Sequence, residues 1–298
     1  MKADAVLIRL GGVSTRATLI ACTSRRAVDR ALRRGEIVRD GHGRYSLPSA
    51  DQGRRTANGL SAVLSHRSAA THWGWEQKLP PSVPDVTVPR NRKVSAERQV
   101  GVNVHWMDLA SEEVQDGVTI RSRTLADCLR ALPFDEALAI ADSAIRHRDI
   151  TLVALIELSA RLRGPGSAQA RDVARLADGR AANPFESVLR AIASSVPGLH
   201  VEPQVPIDLP TGTAYVDLAD RRLAVVAEAD SFAWHGSRRA LWRDCHRYNR
   251  LVLRGWLVLR FAWEDVMFYP EYVRACLQKA TTIAGRRARA RPSVRKAA

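Results

Sequence analysis

The run Leu223-Ala224-Val225-Val226-Ala227 is followed at once by Glu228-Ala229-Asp230. Five consecutive apolar residues flanked by turn-formers suit a strand covered on both faces, the pattern of an α/β sheet with helices on either side. Glu228 and Asp230 stand two apart at the end of that strand, so both side chains emerge on one face. Carboxylates at the edge of a buried strand are costly unless they are paired or metal-bound. The segments around the run predict a helix over Pro184–Ser194 and strands over Val201–Ile207, Ala214–Leu218 and Leu223–Ala229. A long helix over Ser237–Arg254, a strand over Trp256–Phe261 and a helix from Glu264 or Asp265 follow. If a turn closes near Asp220-Arg221, Asp217 shares a sheet face with Glu228. A symmetrical two-residue turn leaves the two offset along their strands, so twist or a wider loop must bring them together.

Charge is the second constraint. The chain of 298 residues carries 46 basic and 31 acidic side chains, a net charge of +15. Residues 1–50 hold 10 basic against 4 acidic, and residues 285–298 hold 6 basic and no acidic. The two ends thus make up +12 of the total, which points to a polyanion partner met through the first domain and the tail. With 46% apolar and 26% charged residues the chain is globular rather than disordered or coiled-coil. No apolar run approaches the ~20 residues that span a bilayer, and Met1-Lys2-Ala3-Asp4 has neither a basic n-region nor a signal-peptide core. The expected compartment is the cytoplasm, with no membrane partner. Cys22, Cys128, Cys245 and Cys276 lie far apart, without metal-ligand spacing, and read as reduced thiols.

Residues 1–50 read as three short helices and a hairpin. Ser14 or Thr15 can cap a helix through Cys22; Ser24 can cap a second, stopped by Gly35, with Val28 and Ala31 on its apolar side. Strand, turn and strand follow through Pro48. This is a winged helix-turn-helix pattern whose recognition helix carries Arg25, Arg26, Arg30, Arg33 and Arg34 off the apolar face, placed for phosphates or base edges of DNA. The same residues also fit a solvated helical hairpin used for protein contact. Residues 51–163 read as a mixed α+β region: a helix over Leu60–Trp75, strands at Asp85–Pro89 and Val102–Trp106, then three amphipathic helices. His66, His72 and His105 there read as surface or satisfied core histidines. Arg163 to Ser167 read as a loop followed by a polar helix, which makes residues 164–183 the expected linker; 184–284 read as the α/β domain and 285–298 as a basic tail.

The start Gly11-Gly12-Val13-Ser14-Thr15-Arg16 and the finish Arg44-Tyr45-Ser46-Leu47-Pro48 belong to this opening helix-turn-helix. Leu64-Ser65-His66, Val86-Thr87-Val88-Pro89-Arg90 and Ser122-Arg123-Thr124-Leu125-Ala126-Asp127 follow. Together they resemble the AbiEi type of antitoxin or regulator module over roughly residues 4–160. Val216-Asp217-Leu218, Val225 to Asp230, Phe232-Ala233-Trp234-His235-Gly236, Arg243-Asp244 with Arg247 and Asn249, and Gly255 to Phe261 resemble the PD-(D/E)XK restriction-endonuclease-like superfamily. The similarity is greatest to its very-short-patch-repair (Vsr) branch, over residues 183–270. The resemblance implies that Asp217 is the principal Mg²⁺ (or Mn²⁺) ligand, Glu228 a second ligand or water-orienting carboxylate, Glu186 a completing ligand and His235 the proton carrier. Arg243 and Arg247 would hold a phosphate. Glu186 has another reading, since Asn183-Pro184-Phe185-Glu186 is also a capping box with Pro at the first turn.

The sequence departs from that pattern in two ways. Asp230 stands where the E-x-K element has its Lys, and the zinc-binding cysteines of repair enzymes have no counterpart, so T·G mismatch specificity is not implied. The expected protein is an α/β multi-domain chain: an N-terminal winged helix-turn-helix, a mixed α+β middle and a C-terminal restriction-endonuclease-like sheet. Its expected activity is metal-dependent DNA cleavage without a small-molecule cofactor. The alternative is a DNA-binding regulator or type IV antitoxin-like protein that keeps the nuclease fold without turnover, with a toxin protein as a further partner.

Overall fold

Local capping sets most of the first elements. In the computed structural model, which describes residues 1–210, 212–230 and 238–290 with the side chains of 238–241 left aside, the chain forms two compact units, Met1–Ala131 and Leu132–Ala298. Unit 1 opens with α1 (Ala3–Arg9), β1 (Val13–Thr15), α2 (Arg16–Cys22), α3 (Arg25–Arg33), β2 (Val38–Gly41) and β3 (Arg44–Ser46). The Thr15 hydroxyl accepts from the Thr18 N–H at 3.0 Å and the Ser24 hydroxyl from that of Ala27 at 3.2 Å, so two side chains satisfy amides that the helix starts leave open. Gly35, at φ 69°, ends α3 in a conformation that costs a side-chain-bearing residue more. The three strands order as β1-β3-β2. Val6, Leu7, Leu19, Val28, Ile37 and Tyr45 bury a small core between helices and sheet.

The rest of unit 1 contains α4 (Gln52–Leu60), β4 (Val63–Leu64), α5 (His66–His72), β5 (Asp85–Val88), α6 (Ala96–Gln99), β6 (Asn103–Trp106), β7 (Val114–Gln115), β8 (Val118–Thr119) and α7 (Arg121–Ala131). Its sheet orders as β6-β5-β4-β8-β7. The expected single helix over Leu60–Trp75 is therefore divided among three elements: Ser61 takes φ 49° and ends α4, β4 joins the sheet, and α5 begins afresh.

Unit 2 comprises α8 (Phe134–Arg146), α9 (Leu152–Arg161), α10 (Ser167–Leu176), α11 (Pro184–Ser194), β9 (Glu202–Leu209), β10 (Gly212–Asp220), β11 (Val225–Asp230), α12 (Arg238–Leu253), β12 (Leu257–Ala262), α13 (Trp263–Phe268) and α14 (Pro270–Ala290). The polar helix expected within residues 164–183 is α10, and the two compact units divide at Ala131. A physical reason is the fully buried pair of Asp142 on α8 with Arg190 on α11, whose side chains are 0% and 2% exposed. Asp142 also accepts from the Asp178 N–H at 2.8 Å, so the segment before α11 is tied into the same body.

The sheet of unit 2 orders as β12-β11-β10-β9, with β9, β10 and β11 antiparallel in turn and β12 parallel to β11 through the α12 crossover. Leu218, Val225, Ala227 and Phe261 pack with Val188 and Leu189 of α11 and Val273 and Leu277 of α14. Val205, Ala219 and Val226 pack with Tyr248 and Leu251 of α12. The long apolar run is thus covered on both faces, as its composition requires. The helix expected from Glu264 is split into α13 and α14 at Pro270, which lacks the N–H needed to continue the first. Residues 285–290 of the expected basic tail continue α14; 291–298 lie outside the described residues. No helix among the described residues is long and apolar enough to cross a membrane.

Candidate functional site

The turn between β10 and β11 decides whether the acidic residues meet. Asp220 pairs with Val225, Ala219 with Val226 and Leu218 with Ala227. Leu223 and Ala224, expected in the strand, belong to the turn, and Ala224 takes φ 53° there. This wider loop removes the offset that a two-residue turn would impose. Asp217 and Glu228 come next in that register, and the Asp217 N–H points at the Glu228 carboxylate at 3.4 Å. Asp217 in turn accepts from the Ala229 N–H at 2.8 Å.

Glu186 enters from the first turn of α11. Asn183 caps that helix by accepting from the Glu186 N–H at 3.0 Å, and the Glu186 carboxylate accepts from the Ala182 N–H at 2.9 Å and the Asn183 amide at 3.1 Å. Capping is therefore a role it performs. A second link was not foreseen: the Gln204 amide on β9 donates to Glu186 at 2.9 Å and points at Asp217 at 3.4 Å. Gln204 sits at φ 51°, which turns it out of regular pairing. Glutamine alone gives no sequence signal for such a bridge.

The three carboxyls are buried or half-buried, with Glu186 at 5% and Glu228 at 3% exposure. Burial, reinforced by the charge of Asp217, raises Glu186 above the ordinary carboxylate range and pushes Glu228 up to about 8. Burial also raises Asp217, against the hydrogen bond from Ala229. Each would hold its charge more readily beside an added cation.

Cations do approach from α12 and β12. Arg247 Nη1 donates to Glu228 at 2.8 Å and to the Tyr215 carbonyl at 3.2 Å, while its Nη2 donates to the Tyr248 hydroxyl at 2.8 Å. Asp244 lies 3.9 Å from Arg247. Asp230 pairs with Arg260, whose guanidinium sits 4.0 Å from the Tyr248 ring centre. Arg260, part of the Gly255 to Phe261 element, was not among the expected site residues, yet it supplies a positive charge beside the position where the E-x-K pattern has lysine. Burial, then the charge of Glu228, raises the Tyr248 phenol above its usual value. Arg243 is exposed, and His235 lies outside the described residues. Among the described residues, no group of three or more His, Cys, Asp or Glu side chains is arranged to hold a metal ion. Asp217, Glu228 and Glu186 offer hard carboxylate oxygens, the donor type that Mg²⁺ and Mn²⁺ take.

Unit 1 holds two further sets. On α3, Arg25, Arg26, Arg30, Arg33 and Arg34 are all exposed while Val28 and Ala31 are buried. Asp29 of the same helix is neutralised by Arg16 at 2.6 Å. Elsewhere, three motif segments converge: Ser65 bonds His66 at 3.0 Å and accepts from Thr87 at 2.8 Å, and His66 stacks on His105 with ring centres 3.6 Å apart. His105 pairs with buried Asp85 at 2.9 Å. Arg123 engages Asp127 and Glu113, each at 3.0 Å. Burial, then His105, pushes His66 down to about 3, so it stays neutral.

No protein-family model matches the chain. An uncharacterized Mycobacterium tuberculosis protein, Rv2248 in strain H37Rv and MT2308 in strain CDC 1551, is 28% identical over 257 residues, covering 83% of this chain and 93% of its own length. The crystal structure of the RV2827C protein from the same organism overlaps 63% of this chain and 79% of its own at 14% identity, with a TM-score of 0.32, a likeness too slight to define a common fold.

Proposed function

We propose that the chain is a DNA-binding protein whose second unit hydrolyses phosphodiester bonds with the help of a divalent cation. The observation that carries the proposal is the side-by-side placement of Asp217 and Glu228 across β10 and β11, with Glu186 joined to Asp217 through Gln204. The order α11, β9, β10, β11, α12, β12 is the one expected of a restriction-endonuclease-like domain. The order α1, β1, α2, α3, β2, β3 with its three-stranded sheet agrees with a winged helix-turn-helix of the AbiEi kind.

In this reading Asp217 and Glu228 would hold Mg²⁺ or Mn²⁺, and Glu186 would hold Gln204 in place as well as add negative charge. The bound cation would activate water and offset charge developing on the phosphate. Arg247, already turned toward Glu228, is placed to share a phosphate oxygen, and Arg260 keeps Asp230 neutralised. Arg25, Arg26, Arg30, Arg33 and Arg34 would hold the DNA backbone or base edges from unit 1, and Arg243 would add a phosphate contact from unit 2. His235 remains the proposed proton carrier.

The test is cleavage of supercoiled plasmid and of oligonucleotides by the full chain with Mg²⁺ or Mn²⁺, with EDTA, and with Asp217→Ala. Strand breaks that vanish in both controls support the enzyme. Cutting that survives either one defeats the metal mechanism.

A second reading is a DNA-binding regulator of the antitoxin type without turnover. It is favoured by the pairs Arg247–Glu228 and Arg260–Asp230, which already neutralise part of the acidic cluster. Protection of a promoter fragment with no strand breaks under any metal condition would select it.

A further inference from the structure

The edge of the unit 2 sheet at β12 carries a surface that the carboxylate cluster does not use. Among the described residues β12 ends the strand order, so no described strand pairs with the backbone groups on its outer side. Beside it runs a groove of about 500 Å³ between α12, β12 and α14, floored by Val252, Trp256, Leu259 and Ile283 and rimmed by Lys279 and Arg287. Val252 in the groove and its neighbour Leu253 are 56% and 85% exposed, more apolar surface than a solvated helix end needs.

The charge around this groove is one-sided. No acidic residue occurs from Cys245 to Trp263 or from Tyr272 to Ala290, while Arg254, Lys279, Arg286, Arg287 and Arg289 fall in those stretches. An adjoining hollow lined by Arg221, Arg222 and Arg287 extends the cationic rim. An apolar floor gives a DNA backbone nothing to bond. A second copy would bring the same positive charge against itself. An extended polypeptide with alternating apolar and acidic side chains satisfies all three features: main-chain bonds to the strand edge, apolar side chains into the groove and carboxylates on the rim.

We infer that the β12 edge and its groove form a docking site for an acidic, apolar-alternating segment of a partner protein. This inference stands independently of the nuclease reading. The experiment is selection of a displayed random dodecapeptide library on the full chain, followed by affinity measurement of the enriched peptides. The expected peptides alternate apolar residues with Asp or Glu. Their affinity should fall by about tenfold or more with Lys279→Glu/Arg287→Glu, and with Val252→Asp, but not with the charge-matched Arg90→Glu/Lys93→Glu in unit 1. All these positions except Val252 are exposed charges, so the folds should survive, as circular dichroism would verify. No enrichment, enrichment without acidic residues, or equal loss in both charge variants overturns the site. So does self-association of the chain that Val252→Asp abolishes, because it would make a second copy the occupant.

Discussion

In unit 1 a buried histidine is kept neutral by burial and by the rings and hydroxyl beside it; in unit 2 three carboxyls, each with hydrogen-bond partners, are still held above the ordinary carboxylate range. His66 has the Ser65 hydroxyl, the His105 ring and the packing of the core around it. Gln204 donates to Glu186 and reaches Asp217, the Ala229 N–H serves Asp217 and the Arg247 guanidinium serves Glu228, yet burial raises the proton affinity of all three, with the charge of Asp217 adding to it at Glu186 and Glu228. Polar groups buried for the fold tend to be satisfied from within, whereas strain among like charges is a mark of sites that receive something from outside. The convergence of three motif segments on His66 therefore reads as architecture, and the carboxyl cluster as the place where the proposed chemistry would be sought.

The sharpest contrast is a third buried polar set, Asp142 with Arg190, where each charge has one committed partner. Asp142→Ala strands a guanidinium that is 2% exposed and should destabilise unit 2 by roughly 3–5 kcal/mol. Chemical denaturation would read the loss. A change below about 1 kcal/mol would show that the pair is not what binds α8 to α11.

Acid should act on unit 1 next. The folded state holds His66 near 3 against an ordinary value of 6.5, so folding releases protons in that window. The stability that depends on neutral His66 is complete above about pH 6.5 and falls as the pH drops. By pH 5 the deficit should reach about 2 kcal/mol. His66→Asn should flatten the slope of urea stability between pH 7 and pH 5, and an unchanged slope would assign the acid sensitivity elsewhere.

Asp217→Asn is expected to have the smallest effect and the opposite sign. Asparagine can still accept from the Ala229 N–H, but it removes one of the charges that repel Glu186 and Glu228, so the metal-free protein should gain about 1 kcal/mol and melt a few degrees higher. A loss of stability would place the cluster with His66 as a structural feature.

Much of the α/β unit was legible in advance because strongly local signals dictate it. The cap Asn183 with Pro184 fixes the start of α11, and the apolar run fixes β11 as an interior strand. The register was not legible: Leu223 and Ala224 are apolar enough to pass for strand, and only the backbone shows that they form the turn that brings Asp217 opposite Glu228. Gln204 and Arg260 escaped notice as site residues because their roles arise from tertiary approach, and neither residue type carries a local pattern. Unit division at Ala131 was hidden for the same reason, since the Asp142–Arg190 pair joins positions far apart in sequence.

The account rests on a divalent cation binding at Asp217 and Glu228. The most direct measurement is titration of the full chain with Mn²⁺, following free ion by electron paramagnetic resonance, for the native protein, Asp217→Asn and the remote control Arg90→Glu/Lys93→Glu. The account predicts saturable binding that Asp217→Asn removes and the control retains. Identical titration curves for the native protein and Asp217→Asn, or no uptake by either, would contradict it.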